Sequence, residues 1–141
     1  MGIHDRIELQ AEVQAPREHV FPLVATSDGL SRWLDNAELE ERVGGAVHLQ
    51  LRDAIATGTI LSLQPPQHIS WSFDWEGAPL GEPTVLAFDA IDHGARTHLT
   101  LRHVGLRNAR QRALHAELWR HWFDRLCAAA DSLGMEATRT R

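Results

Sequence analysis

An α+β domain of two layers, one antiparallel sheet packed against one long C-terminal helix, is the fold class this sequence predicts. Three observations carry the prediction. Several segments alternate apolar and polar residues with the period of half-buried strands, and turn residues separate them at the short intervals of an antiparallel meander. A single long amphipathic pattern, from Asn108 to Leu133, closes the chain. Two short helical segments stand between the first strand and the rest. Each layer has one apolar face to cover, so the two must meet. A sheet that curves around the helix encloses a concave apolar space of the kind small-molecule sites use.

The first strand is read in RIELQAEV, with Ile7, Leu9, Ala11 and Val13 on one side and Glu8, Gln10 and Glu12 on the other. Pro16 then opens a short helix carrying Val20, Leu23 and Val24, which Pro22 shortens or bends. Ser27 or Asp28 caps a second short helix, whose apolar stripe is Leu30, Trp33 and Leu34. The strands that follow are AVHLQLRD, with Val47, Leu49 and Leu51 inward; a run from Gly58 to the double proline Pro65 and Pro66; and HISWSFDW, with Ile69, Trp71, Phe73 and Trp75 inward. EPTVLAFDAI has apolar residues in both phases, so its inward face stays open, with Asp89 the one carboxylate that has a chance of pointing inward. In RTHLTLRHV, Thr97, Leu99 and Leu101 share a face that ends in His103, while His98 points the other way. The terminal helix presents Leu114, Leu118, Trp122, Leu126, Ala129 and Leu133, widened by Trp119 and Phe123. Gly134 is a natural stop. Residues 1–133 are therefore expected to form one domain and residues 134–141 a flexible tail.

Composition excludes several function classes. The 141 residues include no lysine, which removes Schiff-base chemistry and a phosphate-loop lysine. A formal net charge of −5 argues against nucleic acid as a partner. No apolar run is long enough to span a bilayer, and the first residues lack the apolar core of a signal peptide, so the expected compartment is the cytoplasm, with no membrane partner. The single cysteine, Cys127, sits on the long helix beside apolar residues and reads as a buried thiol. The nine histidines have no metal-ligand spacing: His115 and His121 are not one helical turn apart, and no His-Glu-x-x-His string occurs. No metal and no cofactor are expected.

The segments VQAPREHVFPLV, GLSRWL, RVGGAVHLQL, GTILSLQPPQHISWSF, GARTHLTLRHVGL and LWRHWFDRL follow one another in the order and spacing of a known family. In them the chain resembles the homologues of the C-terminal domain of the activator of the 90-kDa heat-shock-protein ATPase, in the START-like (SRPBCC) helix-grip superfamily of polyketide cyclases and lipid-transfer domains. Trp33, the double glycine Gly44–Gly45, the paired prolines, Thr97, His103, Trp119, Asp124 and Leu126 match the family pattern. Phe21 stands where tryptophan is usual, and Leu118 where glycine is usual. The resemblance implies a START-like fold: a curved antiparallel sheet wrapped around the long C-terminal helix, with two short helices after the first strand. It also implies a space between them, which a bulky Leu118 would narrow.

The residues that would line that space are Trp33, Leu51, Trp71, Phe73, His103, Leu118, Trp119 and Trp122. His103 has two readings, a core histidine whose nitrogens are satisfied internally or the polar anchor of a ligand. The aromatic set is likewise either core or cavity wall, and five tryptophans without a tyrosine is a heavy load for so short a chain. Trp75 is placed at the mouth. The expected function is binding of a hydrophobic or aromatic small molecule, as a monomer or homodimer and without catalysis. Two alternatives stay open: a chaperone-associated, stress-response domain, as the family name implies, and a cyclase-like enzyme in which His103 shuttles a proton.

Overall fold

The computed structural model describes residues 5–139, and side chains as far as residue 135. Seven strands form one antiparallel sheet: β1 (Arg6–Val13), β2 (Asn36–Leu39), β3 (Ala46–Leu51), β4 (Ala54–Gln64), β5 (His68–Trp75), β6 (Thr84–His93) and β7 (Arg96–Val104). Their spatial order is β1-β7-β6-β5-β4-β3-β2, so the first strand closes the sheet beside the last, and every other neighbour is joined by a local connection. One helix, α4 (Ala109–Arg139), covers the inner face. This is the helix-grip arrangement expected.

The connection after β1 holds three helical turns rather than two: α1 (Arg17–Val20), α2 (Pro22–Ala25) and α3 (Ser27–Leu30). Pro22 divides the first expected helix because it has no N–H to continue the α1 ladder, yet its fixed φ suits the first position of α2. The cap of α3 is Thr26, one residue before the two predicted, whose Oγ1 accepts from the Gly29 N–H at 2.9 Å. β2 was not visible in the sequence. At four residues it carries one alternation, with Ala37 and Leu39 buried against β3.

The open phase of β6 resolves in favour of Thr84, Leu86, Phe88 and Ala90, which face α4. Asp89, left open by the sequence, therefore points away from the interior and pairs there with His68 and Arg102. The buried face of α4 is also turned relative to the predicted stripe. His115, Trp119, Trp122, Phe123, Leu126 and Ala130 are buried, whereas Leu114 is 52% exposed. His115 costs little to bury on this face because the Trp75 indole and the Gln111 carbonyl of its own helix satisfy both ring nitrogens.

Gly134 does not end the helix, which continues to Arg139; residues 134–139 of the predicted tail are helical, and residues 140 and 141 lie outside the described range. The glycine serves a close approach instead. A Cβ there would stand 1.6 Å from the Gln14 carbonyl oxygen, where the end of β1 crosses α4 and the Gln14 N–H donates to Asp131 Oδ1 at 2.8 Å. Glycine is also required at Gly44, in the predicted double-glycine turn, where φ is +85°. Among the described residues, no helix is long and apolar enough to cross a membrane.

Candidate functional site

The interior between α4 and the sheet is organised around His103. Alternation along β7 sends its side chain inward, where it is fully buried. The Trp119 indole N–H donates to His103 Nδ1 at 2.9 Å. With Nδ1 thus an acceptor, the ring proton resides on Nε2 and is donated to Thr84 Oγ1 at 3.0 Å. Thr84 in turn donates to the Phe73 carbonyl. One directed chain of hydrogen bonds runs from helix to sheet, and it fixes the imidazole tautomer.

A second tryptophan–histidine pair lies beside the first. The Trp75 indole donates to His115 Nε2 at 2.9 Å, and His115 Nδ1 donates to the Gln111 carbonyl at 2.7 Å. The two imidazoles meet edge to face with centroids 5.4 Å apart. Burial pushes the His103 pKa down to about 3, helped by repulsion from a charged His115. Burial also lowers the His115 pKa, opposed by its bond to the Gln111 carbonyl. Both rings are therefore neutral at physiological pH. With both nitrogens engaged, His103 has no lone pair or proton to offer an enolisable substrate, and the geometry gives the cyclase-like alternative no acid or base there.

The aromatic layer divides into two ends. Phe73 packs edge to face on His103 at 4.8 Å, on Trp119 at 5.6 Å and on Trp75 at 5.1 Å, so the His103 end is filled by ring contacts. At the other end Phe88 sits between Trp71, at 5.6 Å, and Trp33, at 6.0 Å. The Trp33 indole is committed, donating to the Leu23 carbonyl at 2.7 Å. The Trp71 indole is not: Nε1 is buried and has no hydrogen-bond partner among the described residues.

The family described as activator of Hsp90 ATPase homolog 1-like protein matches residues 14–131. The chain belongs to that family. The sequence matches no curated protein. Among solved structures, this activator-homologue chain is similar to protein CV1439 from Chromobacterium violaceum, with a TM-score of 0.77 at 19% identity over 90% of this chain and 97% of the other. It is also similar to CalU16 from Micromonospora echinospora, with a TM-score of 0.73 at 24% identity over 86% and 71% of the two chains. A third is the Aha1 dimer from Colwellia psychrerythraea, with a TM-score of 0.75 at 17% identity over 92% and 97%. At these identities the likeness is one of fold.

Within this activator-homologue fold, seven of the eight predicted lining residues are buried: Trp33, Leu51, Trp71, Phe73, His103, Trp119 and Trp122. Leu118 is half-buried and packs against the margin of the core, one position before the buried Trp119 on α4. Trp122 stacks under the Arg125 guanidinium at 5.3 Å, and Arg125 also donates to the Trp33 carbonyl, tying α4 to the segment after α3. Sequence reasoning missed Thr84, Phe88 and His115. The signal for the first two lay in β6, where a Thr–Leu–Phe–Ala phase beside an apolar face was as good as its competitor; His115 was hidden because a histidine does not count in an apolar stripe.

Proposed function

We propose that this activator-homologue domain binds a hydrophobic or aromatic small molecule bearing an oxygen acceptor, in the interior between α4 and the sheet. The ligand lies against Trp71, Phe88 and Trp33, and the Trp71 indole N–H donates to its oxygen. The observation that carries this reading is that donor, unpartnered among the described residues: buried indole N–H groups normally find an acceptor, as those of Trp33 and Trp119 do here. Leaving one unsatisfied costs about 1–3 kcal/mol, which an incoming carbonyl or hydroxyl oxygen recovers. His103, Phe73 and Trp119 act as the rigid wall that holds the layer in register, and Leu51 and Trp122 complete the apolar enclosure. The test is Trp71→Phe, which keeps an aromatic ring and removes the N–H. Binding of flavone and acetophenone, read by quenching of tryptophan emission, should weaken about 3- to 10-fold in the variant, the worth of one hydrogen bond, while its urea midpoint stays or rises. Unchanged affinity in the variant, or no binding by the parent chain, refutes the reading.

A second reading rests on family membership. The Aha1 of C. psychrerythraea and an HSP90 activator from Plasmodium falciparum share the fold, the latter with a TM-score of 0.63 over 72% of this chain. Association with the chaperone would appear as a complex with purified Hsp90 that survives gel filtration, and would not depend on the Trp71 N–H.

A further inference from the structure

The outer face of the sheet, which the interior site does not use, carries a serine, a histidine and an aspartate in hydrogen-bonded sequence. Ser62 Oγ lies 2.8 Å from His68 Nε2, and His68 Nδ1 lies 2.8 Å from Asp89 Oδ1. Three adjacent strands supply them, with His68 directly opposite Asp89 in the β5–β6 register. Ser62 reaches this face through an irregularity. Ile60 pairs with the inward-facing Trp71, so two residues on Ser62 would also face inward; a bulge between Ile60 and Ser62 shifts the register and sets Ser62 opposite the outward Ser70. Bulges that re-aim a side chain are common next to active sites.

The hydrogen-bond directions agree with one another. Asp89 accepts from Nδ1–H, which leaves Nε2 as the acceptor of the Ser62 hydroxyl proton, and Ser70 donates to Ser62. Arg102 holds the other Asp89 oxygen at 2.6 Å and is itself held by Glu8 at 2.9 Å, so the carboxylate that orients the ring is fixed from behind. These groups border an open depression of about 460 Å³ at the β4–β5 turn. Arg17 lines it too, and its Nε is buried with no partner among the described residues.

We propose that this outer depression is an esterase site for small uncharged acyl esters, with Ser62 as nucleophile, His68 as general base and acid, and Asp89 as the residue that holds the His68 tautomer. The Ser62 oxygen bonds to the ester carbonyl carbon as its proton passes to His68 Nε2. The carbonyl oxygen takes up the negative charge, which the Arg17 guanidinium is available to receive. The bond to the alcohol oxygen then breaks, and that oxygen leaves with the proton from His68. Water repeats the sequence on the acyl-serine, giving up one proton to His68, and Ser62 recovers it as the carboxylic acid departs. Nothing beyond ester and water is consumed.

The experiment treats the full chain with a fluorophosphonate probe, maps the adduct by peptide mass spectrometry, and measures p-nitrophenyl acetate hydrolysis in parallel. A single adduct on Ser62 is expected, with hydrolysis falling on the order of 100-fold or more in both Ser62→Ala and His68→Ala, the usual contribution of a nucleophile–base pair. Circular dichroism and the urea midpoint of Ser62→Ala should match the parent, and Asp89→Asn should lower kcat while leaving KM little changed. Absence of a Ser62 adduct, or hydrolysis that persists in Ser62→Ala, overturns the proposal and leaves the three residues as a polar cross-strand ladder. Because the site is on the opposite face from Trp71, Trp71→Phe should leave the adduct intact.

Discussion

Lowering the pH should destabilise this fold through His103, and the size of the effect follows from its burial. In the unfolded chain the imidazole titrates near its ordinary value of about 6.5, whereas in the folded chain it takes up a proton only near pH 3. Between those values the unfolded state binds a proton that the folded state refuses, so stability is complete above about pH 6.5, falls as the pH falls, and levels off below the folded pKa. The slope for one such group is about 1.4 kcal/mol per pH unit. From pH 6.5 to 5 His103 alone should therefore remove roughly 2 kcal/mol, and His115, also depressed, adds in the same direction. Urea titrations followed by tryptophan emission at several pH values in that range give the slope. The control is His103→Gln, whose amide oxygen and nitrogen can replace the two hydrogen bonds and do not titrate. The variant's stability should decline less steeply by about 1.4 kcal/mol per pH unit. Equal slopes in the two proteins would refute the assignment of the acid sensitivity to this imidazole.

Two further outcomes test the packing. Gly134→Ala should lower stability by about 1–3 kcal/mol, because the new methyl meets the Gln14 carbonyl; in a frayed tail or an open helix the same change would stabilise by up to about 1 kcal/mol, so the sign of the change in urea midpoint decides. Cys127 should resist iodoacetamide at pH 8, since burial, reinforced by Asp131 and Asp124, pushes its pKa up to about 12. A mass-spectrometric time course at the rate of a free thiol, in the absence of urea, would contradict that burial.

The sequence displayed the strands whose alternation is strict. In β5 and β7 every second residue is apolar or capable of internal pairing, and both were read with the correct inward face. It concealed elements whose identity depends on neighbours. β2 is a strand because β3 lies beside it, not because Asn36–Leu39 has a pattern of its own. The inward phase of β6 was undecidable from its residues, since Val85 and Ala87 are as apolar as Leu86 and Ala90; what settles it is register, which sets Leu86 opposite His103 on the β7 side and Trp71 on the β5 side. Gly134 misled for the same reason. Its role is a contact with the end of β1, distant in sequence, and a local rule for helix ends has no access to that contact.

The interior site was legible as a set of residues but not as a set of bonds. Composition and alternation gathered Trp71, Phe73, His103 and Trp119 on facing surfaces, yet no periodicity reveals that the Trp71 indole has no acceptor among the described residues while that of Trp119 satisfies an imidazole. The outer face shows why the histidine count alone was ambiguous. His98 and His103 stand an odd number of positions apart on β7, so they emerge on opposite sides of the sheet. On the inner side the available partners are indole N–H groups, which occupy the lone pair and keep the ring neutral. On the outer side they are carboxylates, Glu12 for His93 and His98 and Asp89 for His68, which favour an N–H facing the acid; the opposite nitrogen of His98 is taken by the Gln10 amide oxygen, whereas that of His68 accepts from Ser62. One residue type thus performs two tasks in this chain, bracing the interior where no proton can be exchanged and presenting a basic nitrogen on the face that solvent and substrate can reach. The two faces are separable in experiment, because His103→Gln removes the acid sensitivity of the interior and Ser62→Ala removes the nucleophile of the outer face.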